Sequence, residues 1–201
     1  MNIVCCDLEG VFVPEIWINV SQKTGIEELK LTTRDIPDYD VLMKKRLKIL
    51  DDNNLKLSDI QAVIAQMSPL AGAKEFLDRL REKTQVIIVS DTFDQFAGPL
   101  MAQMGFPTLF CNTLVVNSSG YITDYRLRQQ DGKRHVVLAL KSLNFTVYAM
   151  GDSYNDISMI KAADKGLLFC PPQNIITEYP NLPVCKTYDD VENILFPLLN
   201  N

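Results

Sequence analysis

Residues 3–10 read Ile-Val-Cys-Cys-Asp-Leu-Glu-Gly. Four apolar residues stop abruptly at an acid, as in a short strand buried on both faces that ends at a polar edge. The pattern returns at Val86-Ile87-Ile88-Val89 before Ser90-Asp91-Thr92, and at Val147-Tyr148-Ala149-Met150 before Gly151-Asp152. It returns again at Gly166-Leu167-Leu168-Phe169-Cys170 before Pro171-Pro172, with a weaker run at 108–111. Helical periodicity lies between these runs, over 73–83 (Phe76, Leu77, Leu80), 133–143 (Val136, Val137, Leu140, Leu143) and 155–164 (Ile157, Met159, Ile160, Ala163). Buried strands alternating with amphipathic helices predict a Rossmann-like parallel α/β sheet flanked by helices, with right-handed crossovers. Asn117-Ser-Ser-Gly120, set between Leu114-Val115-Val116 and Tyr121-Ile122-Thr123, predicts a β-hairpin.

One stretch breaks the alternation. Residues 14–70 carry only helix signals: Ile16, Trp17 and Val20 before Gly25; a stripe of Tyr39, Met43, Leu47 and Leu50; and Ile60, Val63, Ile64 and Met67 behind a capping box of Ser58 and Gln61. A helical block inserted after the first strand reads as a small cap. The expected organisation is a catalytic core of residues 1–13 and 71–201 with a cap of residues 14–70. The proline-bearing end, 171–201, reads as loop and a short terminal helix.

Composition narrows the function classes. The chain has 201 residues, 47% of them hydrophobic and 22% charged, which is globular composition. A formal charge of −5 argues against a nucleic-acid partner. No apolar run reaches the length that spans a bilayer, and Met1-Asn-Ile-Val lacks the basic start of a signal peptide. Five scattered cysteines without C-x-x-C spacing suit a reduced, cytoplasmic chain with buried thiols.

The candidate chemistry lies at the strand ends. In open α/β sheets ligands bind beyond the carboxyl ends of the strands. Asp7 with Glu9, Ser90 with Asp91 and Thr92, and Asp152 with Ser153, Asn155 and Asp156 would therefore converge in one crevice. Carboxylates brought close together repel one another unless a cation neutralises them, and a hard divalent ion, Mg²⁺ before Ca²⁺, suits oxygen donors. Any one of these acids alone reads as an N-cap or turn residue. Lys133, taken alone, reads as a solvated lysine near a helix start.

Asp7-Leu-Glu9-Gly10, Ser90-Asp-Thr92, Lys133 and Gly151-Asp-Ser-Tyr-Asn155-Asp156 resemble, in order, the four motifs of the haloacid-dehalogenase-like phosphatases. The last motif and the helical insert resemble the phosphoserine phosphatase branch. The Asp-Leu-Glu-Gly start and Val13-Pro-Glu-Ile-Trp17 resemble members that join phosphoserine hydrolysis to phosphate transfer onto homoserine. The resemblance implies Asp7 as nucleophile and Mg²⁺ held by Asp7, the Glu9 carbonyl and Asp152. It implies Ser90, the Asp91 amide and Lys133 on the phosphoryl oxygens, Asn155 on the substrate, and Asp156 orienting metal-bound water. Glu9 departs from the family's usual Asp at the acid/base position, and its extra methylene shifts the carboxyl group. By the same resemblance Glu15 would meet the substrate ammonium and Arg46 its carboxylate, although Lys44, Lys45, Arg46 and Lys48 equally suit a solvated face. The expected partners are small molecules, phosphoserine and homoserine, with the chain a monomer or homodimer. Two alternatives stay open: a phosphatase of another small phosphomonoester, and a phospho-accepting receiver module.

Overall fold

The computed structural model describes residues 1–33, 35–36 and 38–199. Its strands are β1 (Asn2–Cys6), β2 (Gln85–Phe93), β3 (Thr108–Val116), β4 (Ile122–Arg126), β5 (Thr146–Gly151), β6 (Lys165–Phe169) and β7 (Val184–Cys185). They form one sheet in the order β4-β3-β2-β1-β5-β6-β7, parallel except for the hairpin pair β3–β4. The strand that opens the chain is thus the middle of the sheet, and it is buried on both faces. Cys5 and Cys6 illustrate this, because they enter separate apolar clusters on opposite faces.

The helices are α1 (Ile16–Thr24), α2 (Tyr39–Asp52), α3 (Leu57–Ile64), α4 (Ala73–Lys83), α5 (Asp94–Gln103), α6 (Gly132–Ser142), α7 (Ile157–Ala162), α8 (Gln173–Glu178) and α9 (Tyr188–Leu199). Helices α4, α5 and α9 contribute to the larger cluster with Val4, Cys6 and Ile88, whereas α6 and α7 cover Ile3, Cys5, Ile87 and Val89. The crossovers therefore change face at β1, which leaves a crevice above the ends of β1, β2 and β5. Among the described residues, no helix is long and apolar enough to cross a membrane.

Several expectations need correction. The runs at 108–111 and 114–116 are one strand, β3, carried through the polar pair Asn112-Thr113. β2 runs on through Ser90-Asp91-Thr92 to Phe93, with its register against β3 shifting between Val89 and Phe93. The start of α3 is held by Asp59, whose side chain accepts the Lys56 backbone N–H at 2.8 Å, and not by a Ser58–Gln61 box. Helix α5 gave no clear signal, since Gly98 and Pro99 sit inside it. Residues 171–199 also hold more regular structure than their prolines imply, forming α8, β7 and α9. Tyr188, opening α9, stacks between Phe76 and Phe169 at 4.7 and 4.9 Å, and its hydroxyl donates to the Val11 carbonyl at 2.7 Å.

Between β1 and α4, the helices α1, α2 and α3 and a 3-10 turn (Glu27–Lys30) stand over the crevice. Gly25 ends α1 at φ 74°, a conformation open to glycine at little cost. The hairpin holds this segment from the side: the Leu57 N–H donates to the Gly120 carbonyl at 3.0 Å, and the Tyr125 hydroxyl donates to Asp40 at 2.7 Å.

Candidate active site

The three strand ends converge. One carboxylate oxygen each from Asp7, Asp152 and Asp156 lies within 4.8 Å of the others, and all three residues are buried. Two glycines make the approach possible. Gly10 turns at φ +75°, and a side chain there would overlap the Asp152 carboxylate; a side chain at Gly151 would overlap Asp156. The Asp7 N–H, donating to the Met150 carbonyl at 2.9 Å, locks the end of β1 to β5.

Lys133 lies in this centre, not on the surface. Asp131 and Gly132 start α6, and the lysine side chain, only 3% exposed, reaches down into the acids. Its Nζ lies 2.8 Å from Asp7 Oδ1, 2.7 Å from Asp156 Oδ1 and 3.7 Å from Asp91 Oδ2. Burial opposes its charge, but Asp156 and Asp7 outweigh that and hold its pKa well above the ordinary lysine value. Asp156 is fully enclosed, and its second oxygen accepts the Asp152 and Ser153 N–H groups at 3.0 Å each. Both Asp156 oxygens are therefore engaged.

Asp7 and Asp152 are less well compensated. The Asp7 Oδ1 contact with Lys133 is close but lacks hydrogen-bond geometry. Burial, then the charge of Asp156, pushes Asp7 well above the carboxylate range, and the same causes push Asp152 to about 7. A buried site of hard oxygens that resists its own ionisation suits a small divalent cation, and Mg²⁺ fits that donor chemistry.

Glu9 turns toward the helical segment. Its Oε2 accepts the Ile16 N–H at 2.8 Å, so it serves the free start of α1 as an acceptor from outside the helix. Burial, then the charge of Glu15, raises it to about 8. A carboxylic acid still protonated near neutrality can donate to a leaving alkoxide.

Ser90 is buried, and its Oγ accepts the Thr92 N–H at 3.2 Å. Asp91 is more open; its Oδ2 accepts from Asn155 Nδ2 at 2.7 Å. Glu15, Trp17 and Arg46 line the same cavity of about 90 Å³ as Asp7, Glu9 and Ser90. Arg46 does not belong to a solvated face. It is buried, lies 4.6 Å over the Trp17 ring, and donates to the Leu31 carbonyl at 2.8 Å. Its Nε has no hydrogen-bond partner among the described residues, and burial lowers its pKa to about 10. Trp17 lines the cavity and also meets Phe96 of α5 edge-on at 5.7 Å. Tyr39 and Thr33 line the site without having been singled out as site residues in the sequence. Tyr39 carried a signal, since it shares the α2 stripe with Met43; Thr33 carried none.

Acids gathered above the switch strand of a parallel sheet, with one buried lysine among them, define a class of α/β protein whose charged centre lies beyond the strand ends. Residues 33–161 match the model of the haloacid dehalogenase-like hydrolases, and the chain belongs to that family. This sets aside the receiver arrangement. The chain is 58% identical to the phosphoserine phosphatase ThrH of Pseudomonas aeruginosa over 96% of its own length and 94% of the relative's. It is 57% identical to a phosphoserine phosphatase of Pseudomonas syringae pv. tomato, covering 96% and 81% of the two chains. Among solved structures, an apo phosphoserine phosphatase superposes with a TM-score of 0.77 at 25% identity, covering 96% of this chain and 97% of the other.

Proposed function

We propose that the chain is a Mg²⁺-dependent phosphoserine phosphatase working through an aspartyl-phosphate, and that it also passes the phosphoryl group to homoserine. The observation that carries this reading is Lys133, buried between Asp7 and Asp156 with Asp152 alongside. The identity to relatives named for phosphoserine supports the substrate.

In this reading residues 14–70 are the cap and residues 1–13 with 71–201 the core. Asp7, the Glu9 carbonyl and Asp152 hold Mg²⁺, with Asp156 behind them. The ion, when bound, supplies charge neutralisation and Lewis acidity for the phosphoryl group. Ser90, the Asp91 amide and Lys133 bind the remaining phosphoryl oxygens. Glu15 takes the substrate ammonium, and the Arg46 guanidinium, lining the same cavity, takes its carboxylate. Asn155 keeps Asp91 in place from the substrate side.

An Asp7 oxygen attacks phosphorus, the bond from phosphorus to the serine oxygen breaks, and Glu9 gives its proton to the departing alkoxide. Glu9, now ionised, takes a proton from water or from the homoserine hydroxyl as that oxygen attacks phosphorus. The bond to Asp7 breaks and the carboxylate is restored. Incubation with Mg²⁺ and phosphoserine, with and without homoserine, tests the reading by tracking free phosphate and phosphohomoserine together. Phosphate without homoserine, and both products with it, are expected. No turnover of phosphoserine, with turnover of another small ester, would overturn the substrate assignment.

A further inference from the structure

Tyr39 occupies the first turn of α2, about two turns before Arg46 on the same face. Its ring lines the inner cavity and also a second one of about 590 Å³ beside it. The two cavities share Thr33, Asp91, Lys133 and Asn155, so Tyr39 stands where they meet. Its hydroxyl donates to the Asp91 carbonyl at 3.1 Å, across 52 residues of sequence. At the other end of the same peptide unit, the Thr92 N–H donates to Ser90 Oγ at 3.2 Å.

These contacts form a relay: Tyr39 hydroxyl, Asp91–Thr92 peptide, Ser90 hydroxyl. A hydrogen bond at a carbonyl polarises its peptide and strengthens the bond its N–H makes, most of all where water is excluded. Fixing that carbonyl also fixes the plane of the peptide, and with it the direction of the N–H that holds Ser90. The Asn112 amide donates to the same carbonyl from the core at 3.3 Å, so the carbonyl is gripped from both sides of the crevice. The Tyr39 ring is in turn held edge-on by Tyr125 at 5.8 Å, and the Tyr125 hydroxyl bonds to the neighbouring Asp40.

We propose that Tyr39 is a positioning residue, its hydroxyl holding the Asp91–Thr92 peptide so that Ser90 is aimed at the phosphoryl group only while α2 is docked. This rests on the phosphoryl-transfer reading above, and it deepens that reading by tying a cap residue to the chemical step instead of to substrate recognition. With α2 docked but the Tyr39 hydroxyl removed, Arg46 would still meet the substrate while Ser90 lacked its register.

The test compares Tyr39→Phe, Ser90→Ala and the double variant, with phosphoserine and with p-nitrophenyl phosphate, which offers Arg46 and Glu15 no amino-acid head. Loss of one neutral hydrogen bond predicts a fall in kcat of about three- to tenfold for Tyr39→Phe on both esters, with KM nearly unchanged. Tyr39→Phe should cost nothing further once Ser90 is alanine, because the two act as one unit. Tyr179→Phe, which loses a hydroxyl at the end of α8 away from both cavities, should keep kcat within about twofold. An unchanged kcat for Tyr39→Phe, additive losses in the double variant, or an effect confined to KM for phosphoserine would each overturn the proposal. A wild-type chain inert on both esters would overturn the phosphatase reading together with it, whereas an active wild type beside an equally active Tyr39→Phe defeats the relay alone.

Discussion

The two walls of the crevice are built on opposite rules. On the core side, Lys133 and Asp156 satisfy one another and the surrounding N–H groups within the protein itself. On the helical side, Arg46 is buried with one nitrogen unpartnered among the described residues, held by Trp17, the Met43 sulfur and a single carbonyl. The contrast teaches a division of labour. A wall that meets the same group in every turnover can be pre-arranged, whereas a wall that discriminates must leave a charge unmet until the right ligand arrives.

The largest effect expected from breaking that contrast comes from the floor. Asp7→Asn should lower turnover of every phosphate ester by about 10⁴-fold or more, because the attacking oxygen is gone whatever the leaving group. Stability should not fall with it. One of three crowded acids loses its charge, while Lys133 keeps Asp156. Parallel assays on phosphoserine and p-nitrophenyl phosphate check this, with a thermal melt beside them. A loss confined to phosphoserine would place Asp7 on the discriminating wall and erase the distinction.

The second effect belongs to the roof. Arg46→Ala should raise KM for phosphoserine by about 10- to 150-fold, the worth of a charged hydrogen bond, and leave p-nitrophenyl phosphate nearly untouched. Arg46→Met should weaken phosphoserine similarly but raise the melting temperature of the free protein, because an unmet buried charge is replaced by packing of similar volume. Equal losses on both esters, or a destabilised Arg46→Met, would mean that Arg46 is a structural strut.

The floor was far more legible in the sequence than the roof, for a physical reason. Apolar runs are punctuated: one that stops at Asp7, Ser90 or Asp152 marks both a strand and the place along it where the polar site begins, even where β2 itself runs on to Phe93. Helix α2 offers no such stop. Its apolar stripe orients Tyr39 and Met43, but whether Arg46 snorkels to water or turns inward depends on Trp17 and on the loop carbonyl of Leu31, neither of which is near it in sequence. Lys133 lies at a helix start among Asp131, Gly132 and Arg134, so its local setting is that of a surface residue; only the sheet's geometry takes it below ground. The Tyr39 hydroxyl bond and helix α5 were illegible for similar reasons, one being a contact across 52 residues and the other a helix carrying glycine and proline.

The smallest effect concerns the one place where the floor is not self-sufficient. Asp7 and Asp152 have pKa values raised in the folded state, Asp152 to about 7, and Glu9 is raised to about 8. A carboxyl group whose folded pKa exceeds its unfolded value holds its proton more tightly when folded, so its ionisation costs stability progressively as pH rises between the two values. Without divalent cation, the melting temperature should therefore fall between pH 5 and pH 8 by roughly several degrees. The carboxylates with lowered values, such as Asp164 and Asp190, act in the opposite sense, but only below about pH 4, outside this window. Mg²⁺ favours the ionised acids, so it should raise the melting temperature more at pH 8 than at pH 5 and flatten the decline. Asp152→Asn should remove part of the slope and most of the response to Mg²⁺. A pH-independent gain on adding Mg²⁺, or one that survives Asp152→Asn, would show that the ion stabilises the protein elsewhere, and the floor would then be as complete by itself as its lysine makes it look.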